Sequence, residues 1–460
     1  MPPGVEPRML ASIFTQVELP NAPTWFYFSA LLAVALFFKF SRLLSVRNWD
    51  VLTLFLFMPG MLLLVESQGR SFWGYLALVI ACGYFLVRCL FDLTLVRRPV
   101  LHPNLSLGGL IWLAGALFLS LLAIPVRDAQ KQIDTNETPS APSGTGPGNK
   151  LSSGDPVSRT GVELLSQVPA ELPGPEPEVW VERGLAMLCH LSIVVGMILI
   201  GWRHFDDLHA GVAAATFYLL LPYTYLLMPC TILGFGRWYH AWPMALMIWA
   251  VFCYRRPVLA GIFLGLASGS VFFPAWTVPV WLSFYWRRGV GRFALALVLA
   301  AALCLGVIAG FLWLNGASPH LVGSAWSFPT WQLWKELPPD AYGIWRTSDW
   351  SVHWAYRVPV FMAFVALVVA TLFWPMPKNL AQLLALTAAV LIGIQFWYAD
   401  HGGLYLLWFL PLLLLLVFRP NLSTAVPPLP ADGWLIRLAR AGGRALWRLF
   451  HRVEPASRVA

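Results

Sequence analysis

The sequence predicts an all-α polytopic integral membrane protein, with about 11 transmembrane helices plus a short helical hairpin. Three observations carry that expectation. Apolar residues make up 58% of the 460 positions and charged residues 12%, with a mean hydropathy of +0.67. A soluble domain would expose that much apolar material as an aggregating patch. Stretches approaching 20 apolar residues recur along the whole chain, long enough for helices crossing a hydrocarbon core of about 30 Å. These runs do not alternate in polarity, which excludes barrel strands. The net charge of +9 resides in turns and in the tail. It therefore speaks of orientation and headgroup contact and gives no sign of a nucleic-acid partner.

Residues 1–23 form a polar, proline-punctuated arm without a positive n-region or cleavage site, so no cleavable signal peptide is expected. The first span, 25–40, leads into Lys39, Arg42 and Arg47. Basic turns mark the cytoplasmic side, which puts the N-terminus outside. The second span, 51–65, has Pro59-Gly60 at its centre and predicts a kink. Glu66 and Arg70 then lie outside. The third span, 72–95, holds Arg88 and Asp92, four apart on one helix face, where each neutralises the other. Arg97-Arg98 lie inside, and residues 107–126 cross outward again.

Residues 127–182 form a polar outer loop, rich in Pro, Gly, Ser and Thr and partly disordered, because it lacks the apolar residues to bury a core. A fifth span, 185–202, returns to Arg203-His204. Spans 210–228 and 242–254 follow, joined by an outer turn at 230–240. Arginine pairs stand at both ends of 257–286. That segment is either a hairpin turning at Phe273-Pro274 or one steeply tilted span. Span 293–314 leads to a tryptophan-rich outer loop, 315–357, which contains Trp331 and Trp350. The last three spans are 358–374, 380–397 and 404–418, with the turn Asp400-His401-Gly402-Gly403 between the final two. In the tail, residues 434–452 carry arginines on one face and leucines on the other, a pattern for an interfacial helix on anionic headgroups.

The order of elements from 202 to 288 resembles the middle of the GT-C superfamily, the multi-spanning, polyprenol-dependent glycosyltransferases, especially its bacterial mannosyltransferase-like branch. The matching pieces are His209-Ala210-Gly211-Val212-Ala213-Ala214, Leu221-Pro222, Arg255-Arg256-Pro257, Ala260-Gly261, Gly265-Leu266-Ala267 and Phe273-Pro274. Members usually carry an acid in the polar turn, where this chain has Trp238-Tyr239-His240. They often have Thr-Lys after Gly-Leu-Ala, where it has Ser268-Gly269-Ser270. The resemblance implies a GT-C-like fold in the bacterial cytoplasmic membrane. It divides the chain into a four-helix region (1–126), the polar loop (127–182), a GT-C-like core (183–419) and a cytoplasmic basic tail (420–460).

The activity it implies is transfer of a sugar from a polyprenyl-phosphate donor on the extracytoplasmic face. That chemistry requires a carboxylate for the acceptor proton, cations for the departing phosphate and aromatic faces for the sugar. In the family the catalytic acid follows the helix entering the first outer loop. Asp128 matches that position, and Asp134 and Glu137 fit it as well. Arg237 and His240 are the expected phosphate holders, Asp400 and His401 further binding groups, and Trp331 and Trp350 the sugar platform. Interface anchoring accounts for the same tryptophans. The partners implied are a lipid-linked sugar donor and anionic headgroups at the tail, with no nucleic acid. No cofactor is required, although the chemistry admits a divalent cation. The competing class is a non-enzymatic membrane protein: a transporter, a lipid carrier or an inactive relative.

The remaining polar residues have plain structural readings. Asp206 or Asp207 serves as an N-cap within the His204–His209 turn, with a metal cluster as the alternative. The six cysteines lie mostly in apolar runs without metal-ligand spacing and read as small buried hydrophobes.

Overall fold

The computed structural model describes residues 22–67, 69–94, 103–134, 175–221, 224, 238–314, 331–334, 336–337, 342–399 and 401–428. The regular elements there are helices: α1 (Ala22–Phe37), α2 (Val46–Glu66), α3 (Phe72–Phe91), α4 (Leu107–Asp134), α5 (Pro175–His204), α6 (Leu208–Leu220), α7 (Trp238–Phe252), α8 (Pro257–Ser270), α9 (Val278–Phe284), α10 (Val290–Leu314), α11 (Trp331–Trp334), α12 (Arg357–Phe373), α13 (Leu380–Trp397) and α14 (Leu410–Phe418). Short 3-10 turns occupy Phe40–Arg42, Phe273–Thr277, Trp354–Tyr356 and Leu406–Trp408. Among the described residues there is no strand, only isolated bridges at Gly343–Arg346 and Arg346–Ser351. Seven of the described helices are long and apolar enough to cross a membrane, and three shorter apolar helices accompany them.

Local chemistry explains where these helices start and stop. Ser45 and Ser71 cap α2 and α3 by accepting from Asn48 N–H and Gly74 N–H. Because α2 begins at Val46, Arg47 lies inside its first turn and not in the basic loop where the sequence suggested it. Pro59 leaves α2 continuous. Asp207 caps α6, accepting from Ala210 N–H at 3.0 Å. That helix ends at Leu220, and Leu221, preceding a proline, is extended. Asn379 and Gln382 form a reciprocal capping box that starts α13. Several expected boundaries move: α5 begins at Pro175, inside the stretch expected as polar loop, and α14 begins at Leu410 after a 3-10 turn and not at 404. Helix α4 runs past Val126 to Asp134, since the residues after Pro125 are helix formers. Helix α7 begins at Trp238, which puts Trp238-Tyr239-His240 in its first turn.

Helix α13 lies at the centre, buried on all sides and packed against α3, α12 and α14. Helix α6, buried from Ala210 to Leu220, packs against α4, α5 and α14. The periphery is apolar and exposed, as on α10 with Leu295, Val298, Leu299 and Leu303, which suits a lipid surround. Where helices cross closely, glycine permits it. Gly261, Gly265 and Gly269 form a ridge on α8 lying against the backbone of α10 at Phe293, Leu297 and Ala301.

After α8 the chain turns at Phe273–Thr277 and comes back through α9. The Tyr285 hydroxyl then donates to Tyr254 O at 2.6 Å, beside the point where the segment began. This contact gives the segment the shape of a hairpin.

Several basic turns gather at one end of the bundle. Lys39 N–H donates to Asn48 Oδ1, and the Lys39 ammonium to Asn104. Lys378 donates to Ser283 Oγ and Pro375 O, and Arg288 to Pro427 O. An ion ladder crosses the same end. Arg88 lies between Asp50 (3.0 Å) and Asp92 (2.9 Å), and Asp92 also holds Arg419 (2.5 Å), with all four side chains buried. The expected Arg88–Asp92 pair is the middle rung of this ladder.

Candidate functional site

The opposite end of the bundle holds the polar and aromatic side chains that could meet a substrate. Its floor is the turn linking α13 to α14. His401 and Gly403 have φ of 52° and 98°, in the left-handed region, and so reverse the chain tightly. His401 N–H donates to Tyr342 O at 2.6 Å, and Gly403 N–H to Gln395 Oε1 at 3.0 Å. Gly343 lies directly on the Ala399 carbonyl, a place where a Cβ would collide. The floor is therefore built by two segments some 60 residues apart, docked backbone to backbone.

Segment 342–352 is itself compact. Gly343 and Arg346 exchange backbone hydrogen bonds, and Val352 N–H donates to Trp345 O. Trp345 Nε1 donates to Phe396 O at 2.9 Å, and Arg346 Nη1 to Leu337 O at 3.0 Å. Arg70 stands over the Tyr342 ring at 5.4 Å, a cation–π contact, while its carbonyl accepts from Ser348 N–H. On α3, the Tyr75 hydroxyl lies 3.3 Å from His401 Nδ1. Burial lowers the His401 pKa to about 4, so its imidazole is neutral near pH 7. A neutral imidazole carries one donor and one acceptor nitrogen and no fixed charge.

Beneath this turn lies a stack of rings. Tyr405 stacks on Trp408 at 4.2 Å, Trp408 on Phe273 at 4.0 Å, and Phe272 on Tyr398 at 5.4 Å. His240, buried in the first turn of α7, approaches the Tyr405 ring at 6.1 Å. Residues from α7, the 272–277 turn and the 398–408 turn thus share one aromatic layer. Trp350 meets Phe72 edge-on at 5.5 Å and keeps part of its face exposed.

Of the residues expected to act, the structure brings His240 into this layer, holds His401 in the turn above it against Tyr75, and puts Trp350 beside the first turn of α3. Asp128 belongs to the last turns of α4, whose side chains are not among those described. Trp331 opens the short helix α11, again with its side chain outside the description. Arg237 and Asp400 lie outside the described residues, next to Trp238 and His401. Tyr75, Tyr342, Tyr398 and Tyr405 also line this end, and no motif in the sequence marks them. Their one signal in the sequence is that tyrosines recur at the ends of apolar runs on this side.

The His204–His209 turn at the basic end has no common focus. His204 Nε2 is 2.6 Å from Phe252 O, His209 Nε2 is 3.1 Å from Leu105 O, and Asp207 caps α6. Among the described residues no group of three or more His, Cys, Asp or Glu side chains is disposed to hold a metal ion. Five described cysteines are free thiols, and Cys82, Cys89 and Cys189 are buried in the apolar packing.

Long apolar helices, a buried arginine–aspartate ladder at one end and an aromatic layer at the other define a polytopic helical membrane protein. No family model, no curated protein and no solved structure matches the chain.

Proposed function

We propose that this protein is a membrane glycosyltransferase of GT-C type, moving a sugar from a polyprenyl-phosphate donor at the aromatic end of the bundle. The supporting observation is the meeting of His240, from the stretch that resembles the family, with the 398–408 turn in one layer of rings. The rings of this layer are buried, and Trp350 at the same end keeps an exposed face of the kind that suits the apolar C–H face of a sugar. In this reading the basic end is cytoplasmic, the chain makes eleven crossings plus the hairpin, the N-terminus is outside and the C-terminus inside. The membrane is the bacterial cytoplasmic membrane, and residues 434–452 rest on anionic headgroups.

The reaction has three requirements. The acceptor hydroxyl attacks the anomeric carbon as the bond from that carbon to the donor's phosphate oxygen breaks, and the phosphate leaves with the electron pair. Asp128 takes the acceptor proton. Arg237, with His240, steadies the charge that accumulates on the departing phosphate. Trp331 and Trp350 hold the sugar. Asp400 and His401 orient its hydroxyls, with His401 acting as a neutral hydrogen-bonding group.

The test is sugar transfer from polyprenyl-phosphate donors by purified protein in vesicles. Asp128→Asn lowers turnover by on the order of a hundredfold while the protein stays folded. Arg237→Ala weakens donor binding and turnover together. Full activity in both variants removes these assignments. The second reading is a non-enzymatic transporter, lipid carrier or inactive relative, and the burial of His240 at 2% exposure favours it. Failure of folded wild type to bind or turn over any lipid-linked sugar would decide for that reading.

A further inference from the structure

Among the described residues, the buried cluster at the basic end sets three guanidinium groups, Arg47, Arg88 and Arg419, against two carboxylates, Asp50 and Asp92. Asp50 accepts from Arg88 Nε at 3.0 and 3.2 Å and from the Tyr84 hydroxyl at 2.9 Å. Asp92 is shared between Arg88 and Arg419. Asp50 also attracts Arg47 electrostatically, but both carboxylates are hydrogen-bonded to other residues. Arg47, one turn before Asp50 on α2, is only 7% exposed, and its Nη2 is enclosed with no hydrogen-bond partner in the protein. Asp50 is shared with Arg88, so a guanidinium held this deeply is stabilised by further counter-charge, because removal from water disfavours its charged form.

The surroundings of Arg47 indicate where that counter-charge comes from. The turn before α2 is fixed by Asn48, which is fully buried. Its amide donates to Lys39 O, Arg42 O and Leu43 O, and its Oδ1 accepts from Lys39 N–H. This rigid turn carries Arg42 on its surface beside an apolar set, Phe40, Leu43, Leu44 and Trp49, with Leu44 84% exposed. Water is a poor partner for those four side chains and acyl chains are a good one. A basic group beside exposed apolar side chains, at the end of a helical bundle, matches a phosphate with its hydrocarbon tails attached.

We propose that the turn at 39–49 is a binding site for one anionic phospholipid. Arg47 takes the headgroup phosphate through charge-assisted hydrogen bonds, and Arg42 adds to the local field. Leu43, Leu44 and Trp49 lie along the acyl chains. The site is at the opposite end of the bundle from the aromatic layer and stands independently of the glycosyltransferase reading. It is also separate in the chain from the basic tail, so it distinguishes one lipid at a defined place from a general attraction to a charged surface.

The experiment is native mass spectrometry of the full-length protein in non-ionic detergent, titrated with phosphatidylglycerol or with phosphatidylcholine of the same chain length. The expected result is one phosphatidylglycerol held about tenfold more tightly than phosphatidylcholine, with that preference lost in Arg47→Gln and partly kept in Arg47→Lys. The tail is present in every variant, so its contribution cancels in the comparison. Leu44→Gln weakens both lipids alike. Equal phosphatidylglycerol affinity in wild type and Arg47→Gln would overturn the assignment. So would inorganic phosphate displacing the lipid headgroup preference at equal concentration, since the ligand would then be a free anion. Should Arg47→Gln not fold, the wild-type titration decides alone: no preference between the two headgroups refutes the site.

Discussion

Replacing Asp92 with Asn tests whether the buried ladder holds the basic end together. Asp92 joins Arg88 on its own helix to Arg419 at the end of α14, through contacts of 2.9 and 2.5 Å with its two carboxylate oxygens. Those contacts put the charge centres about 4 Å apart, where each attraction is worth about 4 kcal/mol at an effective dielectric near 20. Arg88 retains Asp50 in the variant, whereas Arg419 loses the carboxylate that balances it in a site with 3% exposure. Removing one partner of a buried pair costs about 3–5 kcal/mol, because the remaining charge stays desolvated. Asp92→Asn keeps the side-chain volume, so the loss reports charge and not packing. The assay is a two-by-two cycle of Asp92→Asn and Arg419→Gln, with unfolding followed by denaturant titration in detergent. The expected result is a double variant considerably more stable than the sum of the single losses predicts. A loss under about 1 kcal/mol for Asp92→Asn, or strict additivity in the cycle, would refute the argument.

Two further outcomes are expected. A Cβ at Gly265 would meet the backbone of Leu297 and the Ala300 side chain on α10, whereas one at Gly310 meets nothing within 4 Å. Gly265→Ala therefore loses about 1–3 kcal/mol from overpacking, and Gly310→Ala is neutral or stabilising through helix propensity, as thermal unfolding of the two variants will measure. The His401 pKa is lowered from 6.5 to about 4 by burial, so the unfolded chain binds this proton more readily than the folded one. Its contribution to stability is complete above about pH 6.5 and declines as pH falls toward 4. Melting temperatures across that window should drop more steeply for wild type than for His401→Asn, and parallel curves would contradict it.

Much of the architecture was legible because a bilayer imposes simple rules. Apolar run length reports a crossing, and the placement of arginine and lysine reports which turns share an end. The expected bounds of α13 agree with the helix itself, where the Asn379 cap and the end of the apolar run are both local features. Misplaced boundaries arose where polar residues continue a helix beyond its apolar run, as at Arg47 and Asp50 in α2 and past Val126 in α4. Hydropathy reports the edge of the hydrocarbon and not the end of the hydrogen-bonded backbone.

By itself the sequence determined the helical class, the two-ended charge distribution and the Arg88–Asp92 pair, because length, composition and a spacing of four are local quantities. It also singled out His240 and His401 as polar residues at turns. Only the tertiary structure decided what surrounds them. Asp50 and Arg419 join the ladder from 38 and 327 residues away, and Tyr75 reaches His401 across 326. The glycine ridge of α8 is visible as a motif, but its partner strip on α10 is not. These partnerships depend on how rigid helices pack side by side, and no spacing along one chain segment records which helix becomes its neighbour.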